Sequence, residues 1–91
     1  MIEKNIYLIS GMSGSGKSVC LRHFEDMEYE VIRGLPVEFL EHVIQHTSSN
    51  LAIEIFSKPL IANQEKVLDI IKRYNIKVVF LDTSNKSLLL R

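Results

Sequence analysis

Apolar residues along the chain alternate between two spacings. Short, nearly continuous apolar runs at Asn5 to Ser10, Tyr29 to Ile32, Leu51 to Phe56 and Lys77 to Asp82 read as strands buried on both faces. Between them the spacing becomes helical. From Lys17 onward, Cys20, Leu21, Phe24 and Met27 share one face and Arg22, Glu25 and Asp26 take the other. Pro36 suits the first turn of a helix running through Phe39, Leu40, Val43 and Ile44 to about His46, and Thr47 to Asn50 forms a polar loop. Pro59 ends the third run, and Asn63 can cap a helix whose stripe is Val67, Leu68, Ile71 and Tyr74. Glu65, Lys66, Asp69, Lys72 and Arg73 lie outside that stripe, and its basic last turn suits the helix dipole. Ser84 or Asn85 is placed to cap a further helix beginning at SLLLR. The order β-α-β-α-β-α-β predicts an α/β domain with a parallel sheet of about four strands covered by helices on both faces.

Composition narrows the partners. Eleven basic and eleven acidic residues balance, which argues against a polyanion-binding surface. The balance hides a mild split, because residues 1–46 carry four basic and seven acidic side chains and residues 47–91 carry seven and four. Solvated helix faces account for it. The single cysteine, Cys20, cannot form an internal disulfide and reads as a packed thiol. No secretory leader and no apolar run near the ~18 residues of a membrane span is visible, so the cytoplasm is the expected compartment.

One segment carries chemistry. Gly11, Met12, Ser13, Gly14, Ser15, Gly16, Lys17 and Ser18 fit G-x-x-x-x-G-K-[ST], the phosphate-binding loop, between a strand and an amphipathic helix as its mechanism requires. The glycines allow backbone N–H groups to converge on phosphate oxygens, and the helix start adds the positive end of its dipole. Lys17 would reach the β and γ phosphates, and Ser18 would place its hydroxyl on Mg²⁺. A further magnesium-side acid is expected at the end of a neighbouring strand. Asp82 closes VVFLD, and Glu54 lies inside LAIEIF. Arg33 and Lys58 sit in loops that could approach a nucleotide, with solvent-exposed charge as the other reading. His42 and His46 stand four apart on a helix without a further metal-ligand partner.

The run GMSGSGKSVCLRHFEDMEYEVIRGLPVEFL resembles the amino terminus of the RapZ (YvcJ-type) family, and VVFLDTSNKSLLLR resembles that family's FLDA-x-x-x-x-L-x-RR segment. The resemblance implies a P-loop NTPase-like three-layer sandwich in a cytoplasmic bacterial protein that binds and slowly hydrolyses ATP or GTP with Mg²⁺. In some members it implies an adapter that presents a small RNA to a ribonuclease. The family's Asp-Val-Arg-Asn segment falls on Glu54-Ile55-Phe56-Ser57, and its Asp-Asn-Leu-Pro on Arg33-Gly34-Leu35-Pro36. Those departures lead us to expect hydrolysis that is weak or lost, with Lys17, Glu54 and Asp82 as the catalytic candidates. The register of related small-molecule kinases favours Glu54 over Asp82 beside the magnesium. Residues 1–91 are expected to be the amino-terminal part of the nucleotide domain, without the arginine-rich lid or the RNA-binding domain, so no RNA contact is expected here. A minimal small-molecule kinase is the enzymatic alternative. A non-catalytic interaction module or remnant reading frame, pairing with another copy through an exposed sheet edge, is the other.

Overall fold

The computed structural model describes residues 4–11 and 16–81, together with the backbone of residues 87–90. Strands β1 (Ile6–Gly11), β2 (Glu30–Ile32), β3 (Leu51–Glu54), β4 (Lys77–Leu81) and β5 (Ser87–Leu90) form one sheet in the order β2-β3-β1-β4-β5. The first four are mutually parallel, as their unbroken apolar runs predict, and β5 joins β4 antiparallel. The helices among the described residues are α1 (Lys17–Asp26), α2 (Leu40–His46), α3 (Ser57–Ala62) and α4 (Gln64–Tyr74), with a 3-10 turn at Val37–Phe39 leading into α2.

Right-handed crossovers decide which face each helix covers. The chain leaves β1, passes β3 and enters β2 through α1. It then returns through α2 to β3 and crosses β1 through α3 and α4 to reach β4. The direction of travel reverses, so α1 lies on one face and the later helices on the other. Two apolar clusters record this division. Leu21 and Phe24 of α1 pack with Ile9, Ala52 and Leu81, whereas Leu40, Ile44, Val67 and Ile70 pack with Ile6, Leu8, Leu51 and Ile53 on the opposite side. Leu8, Leu51 and Ile53 are fully buried, and burial of each side chain contributes roughly 1.5–3 kcal/mol. Cys20 packs against the first cluster, where burial pushes its thiol pKa up, in keeping with a packed thiol.

Three sequence expectations change. The segment beginning at SLLLR is not a helix over Ser87–Leu90 but strand β5. The free edge of β4 offers a ready ladder of donors and acceptors, which this segment completes; the caps proposed at Ser84 and Asn85 lie outside the described residues. Pro59 does more than end the third run, because it sits in the first turn of α3, where its missing N–H costs no hydrogen bond. In α4 the buried stripe is Val67 and Ile70, flanked by Ile71 and Tyr74, and Leu68 turns outward at 46% exposure. Asn63 does occupy the N-cap position, although its side-chain amide donates back to the Pro59 carbonyl instead of capping.

A polar clamp joins α2 to α4. Arg73 donates to Glu41 at 2.5 Å and to Asp69 at 2.9 Å, and the Tyr74 hydroxyl donates to the same Glu41 oxygen. Hydrogen bonds from Arg73 and then Tyr74 hold the Glu41 carboxyl below its ordinary value of 4.5. The folded carboxyl therefore takes its proton less readily than the unfolded one. Its support for folding is complete above about pH 4.5 and is lost as pH falls through the lowered value. Thermal melts between pH 3 and 7 should show a steeper acid loss of stability in the wild type than in Glu41→Gln, with the two curves converging at the acid end.

Candidate phosphate-binding site

The reversal of chain direction places a crevice at the carboxyl ends of β1 and β3, whose following helices leave to opposite faces of the sheet. Register aligns the pieces around it. Ile9 pairs with Glu54 on one side of β1, and Gly11 pairs with Leu81 on the other. Alternation along β3 turns Leu51 and Ile53 toward α2 and α4, so Ala52 and Glu54 face the α1 side. Glu54 is therefore a strand-end carboxylate directed at the start of α1. Its side chain is only 14% exposed.

Gly16 precedes α1 with φ 92°, and its carbonyl accepts the first helical hydrogen bond from Cys20. Lys17 opens the helix and bends back over β1, so that Nζ donates to the Gly11 carbonyl at 3.0 Å. The same ammonium stands 3.9 Å from Glu54 Oε2 and 5.5 Å from the centre of the Phe56 ring. Ser57 Oγ, at the first turn of α3, donates to that Gly11 carbonyl at 3.2 Å. One backbone oxygen thus ties β1, α1 and α3 together. The backbone N–H of Leu35 donates to the Glu54 carbonyl, which fixes the end of β3 from the other side.

Of the residues singled out from sequence, Gly11, Gly16, Lys17, Ser18 and Glu54 are gathered at this crevice or at the start of α1, with Ser18 exposed on the first turn. Met12, Ser13, Gly14, Ser15 and Asp82 lie outside the described residues, although Leu81, the residue before Asp82, pairs with Gly11. Arg33 is exposed and spends its charge on Glu25 at 3.2 Å, and Lys58 is also exposed. The His42 and His46 rings stack on the exposed face of α2, and no group of three or more metal-ligating side chains occurs among the described residues. Sequence reasoning missed the contacts of Phe56 and Ser57. Their place just beyond the end of the strand next to β1 is the signal that could have found them.

A family model for RapZ-like N-terminal domains matches residues 4–91. The chain belongs to this family. Relatives of the RapZ-like chain include nucleotide-binding proteins of Xylella fastidiosa strain M23, 39% identical over 98% of this chain and 34% of the relative, and of Polynucleobacter asymbioticus, 40% identical over 94% and 31%. One from Aliivibrio salmonicida is 34% identical over 94% of this chain and 33% of the relative. The RapZ-like chain thus spans about a third of the length of these relatives. No solved structure matches it. No helix among its described residues is long and apolar enough to cross a membrane.

Two further features bear on the RapZ-like site. Ser10, the residue before the loop, is fully buried, and its hydroxyl has no hydrogen-bond partner among the described residues. A buried hydroxyl without a partner carries a desolvation penalty, so Ser10→Ala is expected to raise stability by about 1 kcal/mol, or about 4–8 °C in melting temperature. Differential scanning calorimetry of the two proteins measures this. At the opposite end of the sheet an open hollow of about 780 Å³ is lined by Lys4, Arg73 and Lys77 among others. Its cations are already engaged. Lys4 donates to the Ile44 and Thr47 carbonyls at the end of α2, Arg73 holds Glu41 and Asp69, and the Lys77 ammonium lies 5.5 Å from the Tyr7 ring centre.

Proposed function

We propose that the RapZ-like chain binds the phosphates of a nucleoside triphosphate, ATP or GTP with Mg²⁺, at the crevice between β1 and β3. The observation that carries the reading is Lys17. Its ammonium is held at the start of α1 by one hydrogen bond to the neutral Gly11 carbonyl and a 3.9 Å approach to Glu54, so phosphate oxygens can take it over without dismantling the fold. The loop motif, the family membership and the relatives, which are nucleotide-binding proteins, support a nucleotide as the ligand. Residues 11–18 would cradle the phosphates, Lys17 would neutralise their charge, and Ser57 would keep the Gly11 carbonyl in place when Lys17 turns away.

The donor set suits magnesium. Glu54 and Ser18 offer a carboxylate and a hydroxyl, the hard oxygen ligands Mg²⁺ prefers, and Asp82 is a third candidate beyond the described residues. When bound, the ion would offset charge on the β and γ phosphates. Hydrolysis on this reading is weak, because the only described cation at the loop mouth is Lys17 while Arg33 is occupied by Glu25. RNA has no place in the proposal for these residues, whose charges balance. Isothermal titration with Mg-ATP and Mg-GTP, beside Lys17→Ala, tests it. Saturable binding that the variant lacks is expected, and equal or absent binding in both proteins would sink the reading.

A further inference from the structure

We propose that His42 and His46 form a two-histidine chelate for a borderline divalent transition metal, of the Zn²⁺ or Cu²⁺ class, on the last turn of α2. The inference is independent of the phosphate reading. The two residues stand one turn apart, and the centres of their exposed rings are 4.2 Å apart with planes inclined by 26°. Two imidazole nitrogens that share a tetrahedral ion at about 2.0–2.1 Å stand about 3.3 Å from one another, a spacing that rings so placed reach by side-chain rotation alone.

A second observation concerns which nitrogen is available. His46 Nδ1 lies 2.8 Å from the His42 carbonyl oxygen. A carbonyl only accepts, so Nδ1 carries the proton and donates, and the ring's lone pair is left on Nε2. An outer hydrogen bond of this kind orients metal-binding imidazoles and raises their basicity. Position adds to it, because His42 to His46 is the carboxyl-terminal turn of α2, where the helix dipole favours a cation.

The chemistry selects the metal. Imidazole suits Zn²⁺ and Cu²⁺ and is a poor partner for Mg²⁺, so this site does not compete for the ion proposed beside the phosphates. No group of three ligating side chains occurs among the described residues, so water completes the coordination and the affinity stays below that of a structural zinc site. A helix of seven residues is marginal by itself. An ion spanning its last turn ties together residues four apart and stabilises the turn that carries the buried Ile44.

Calorimetric titration of Cu²⁺ and of Zn²⁺ into the nucleotide-free protein, with Mg²⁺ in excess throughout, tests the assignment in wild type, His42→Ala, His46→Ala and the control His23→Ala. One ion per chain is expected, with Cu²⁺ bound more tightly than Zn²⁺. Each of the first two substitutions should weaken binding by about tenfold or more, and His23→Ala, exposed on α1, should leave it unchanged. Saturating Zn²⁺ should also raise the melting temperature of the wild type by several degrees and that of His46→Ala by less. Losses below about threefold in both His42→Ala and His46→Ala, or one ion shared between two chains, would overturn the chelate. So would a loss in His23→Ala as large as in the other two.

Discussion

Gly11→Ala is expected to destabilise the protein by about 3 kcal/mol or more, lowering the melting temperature by at least about 12 °C. A Cβ at this position would lie 2.2 Å from the backbone carbonyl oxygen of Leu81, and φ is +150°, a conformation that side chains disfavour. The obstacle is backbone in the neighbouring strand and cannot rotate away. To admit the methyl group, the Gly11–Leu81 end of the β1–β4 ladder must open, exposing Leu81 and the cluster it shares with Ile9, Leu21 and Phe24. Gly16→Ala is the informative companion. Its Cβ would meet nothing within 4 Å, so only the φ of +92° opposes it, at a cost of about 1–2 kcal/mol. Urea denaturation of the three proteins separates crowding from backbone strain. Near-equal losses in both variants would show that β1 and β4 do not approach as closely as described.

Lys17→Ala should weaken Mg-ATP binding by about a hundredfold. A charge-assisted hydrogen bond to phosphate is worth about 1.5–3 kcal/mol, and nothing else described at the loop mouth can replace it. Phe56 is apolar, Ser57 already donates to Gly11, and Arg33 is tied to Glu25. The substitution also leaves Glu54 without the nearest cation among the described residues. Fluorescence or calorimetric titration at a temperature where both proteins are folded gives the ratio. A loss of less than threefold would mean that Lys17 does not touch the ligand.

Strands β1 to β4 were legible because each is an apolar run bounded by Gly, Pro or polar residues, and a strand buried on both faces needs no alternation. Helix α1 was legible for the complementary reason, its buried Leu21 and Phe24 recurring one turn apart. Helix α3 was not, because SKPLIA has neither stripe nor cap and contains a proline whose meaning depends on where the helix starts. The exchange of Leu68 for Ile70 in the α4 stripe has a similar origin. Both positions are apolar, and only the angle at which α4 meets β1 and β3 selects between them. Strand β5 was unreadable as such, since three leucines in succession satisfy either period and the free edge of β4 decided the outcome.

By itself, the amino-acid sequence determined the layers and the Gly11 to Ser18 motif with its lysine, because each depends on residue type at short spacing. Glu54 was already a candidate from its strand position, but the contacts around that motif came from tertiary structure. Glu54 reaches Lys17 because β3 lies beside β1 in a register that pairs Ile9 with Glu54, and Ser57 reaches Gly11 because the chain reverses direction there. Strand order and register are properties of the packed sheet, set by which faces the helices cover, and no local pattern of residues encodes them.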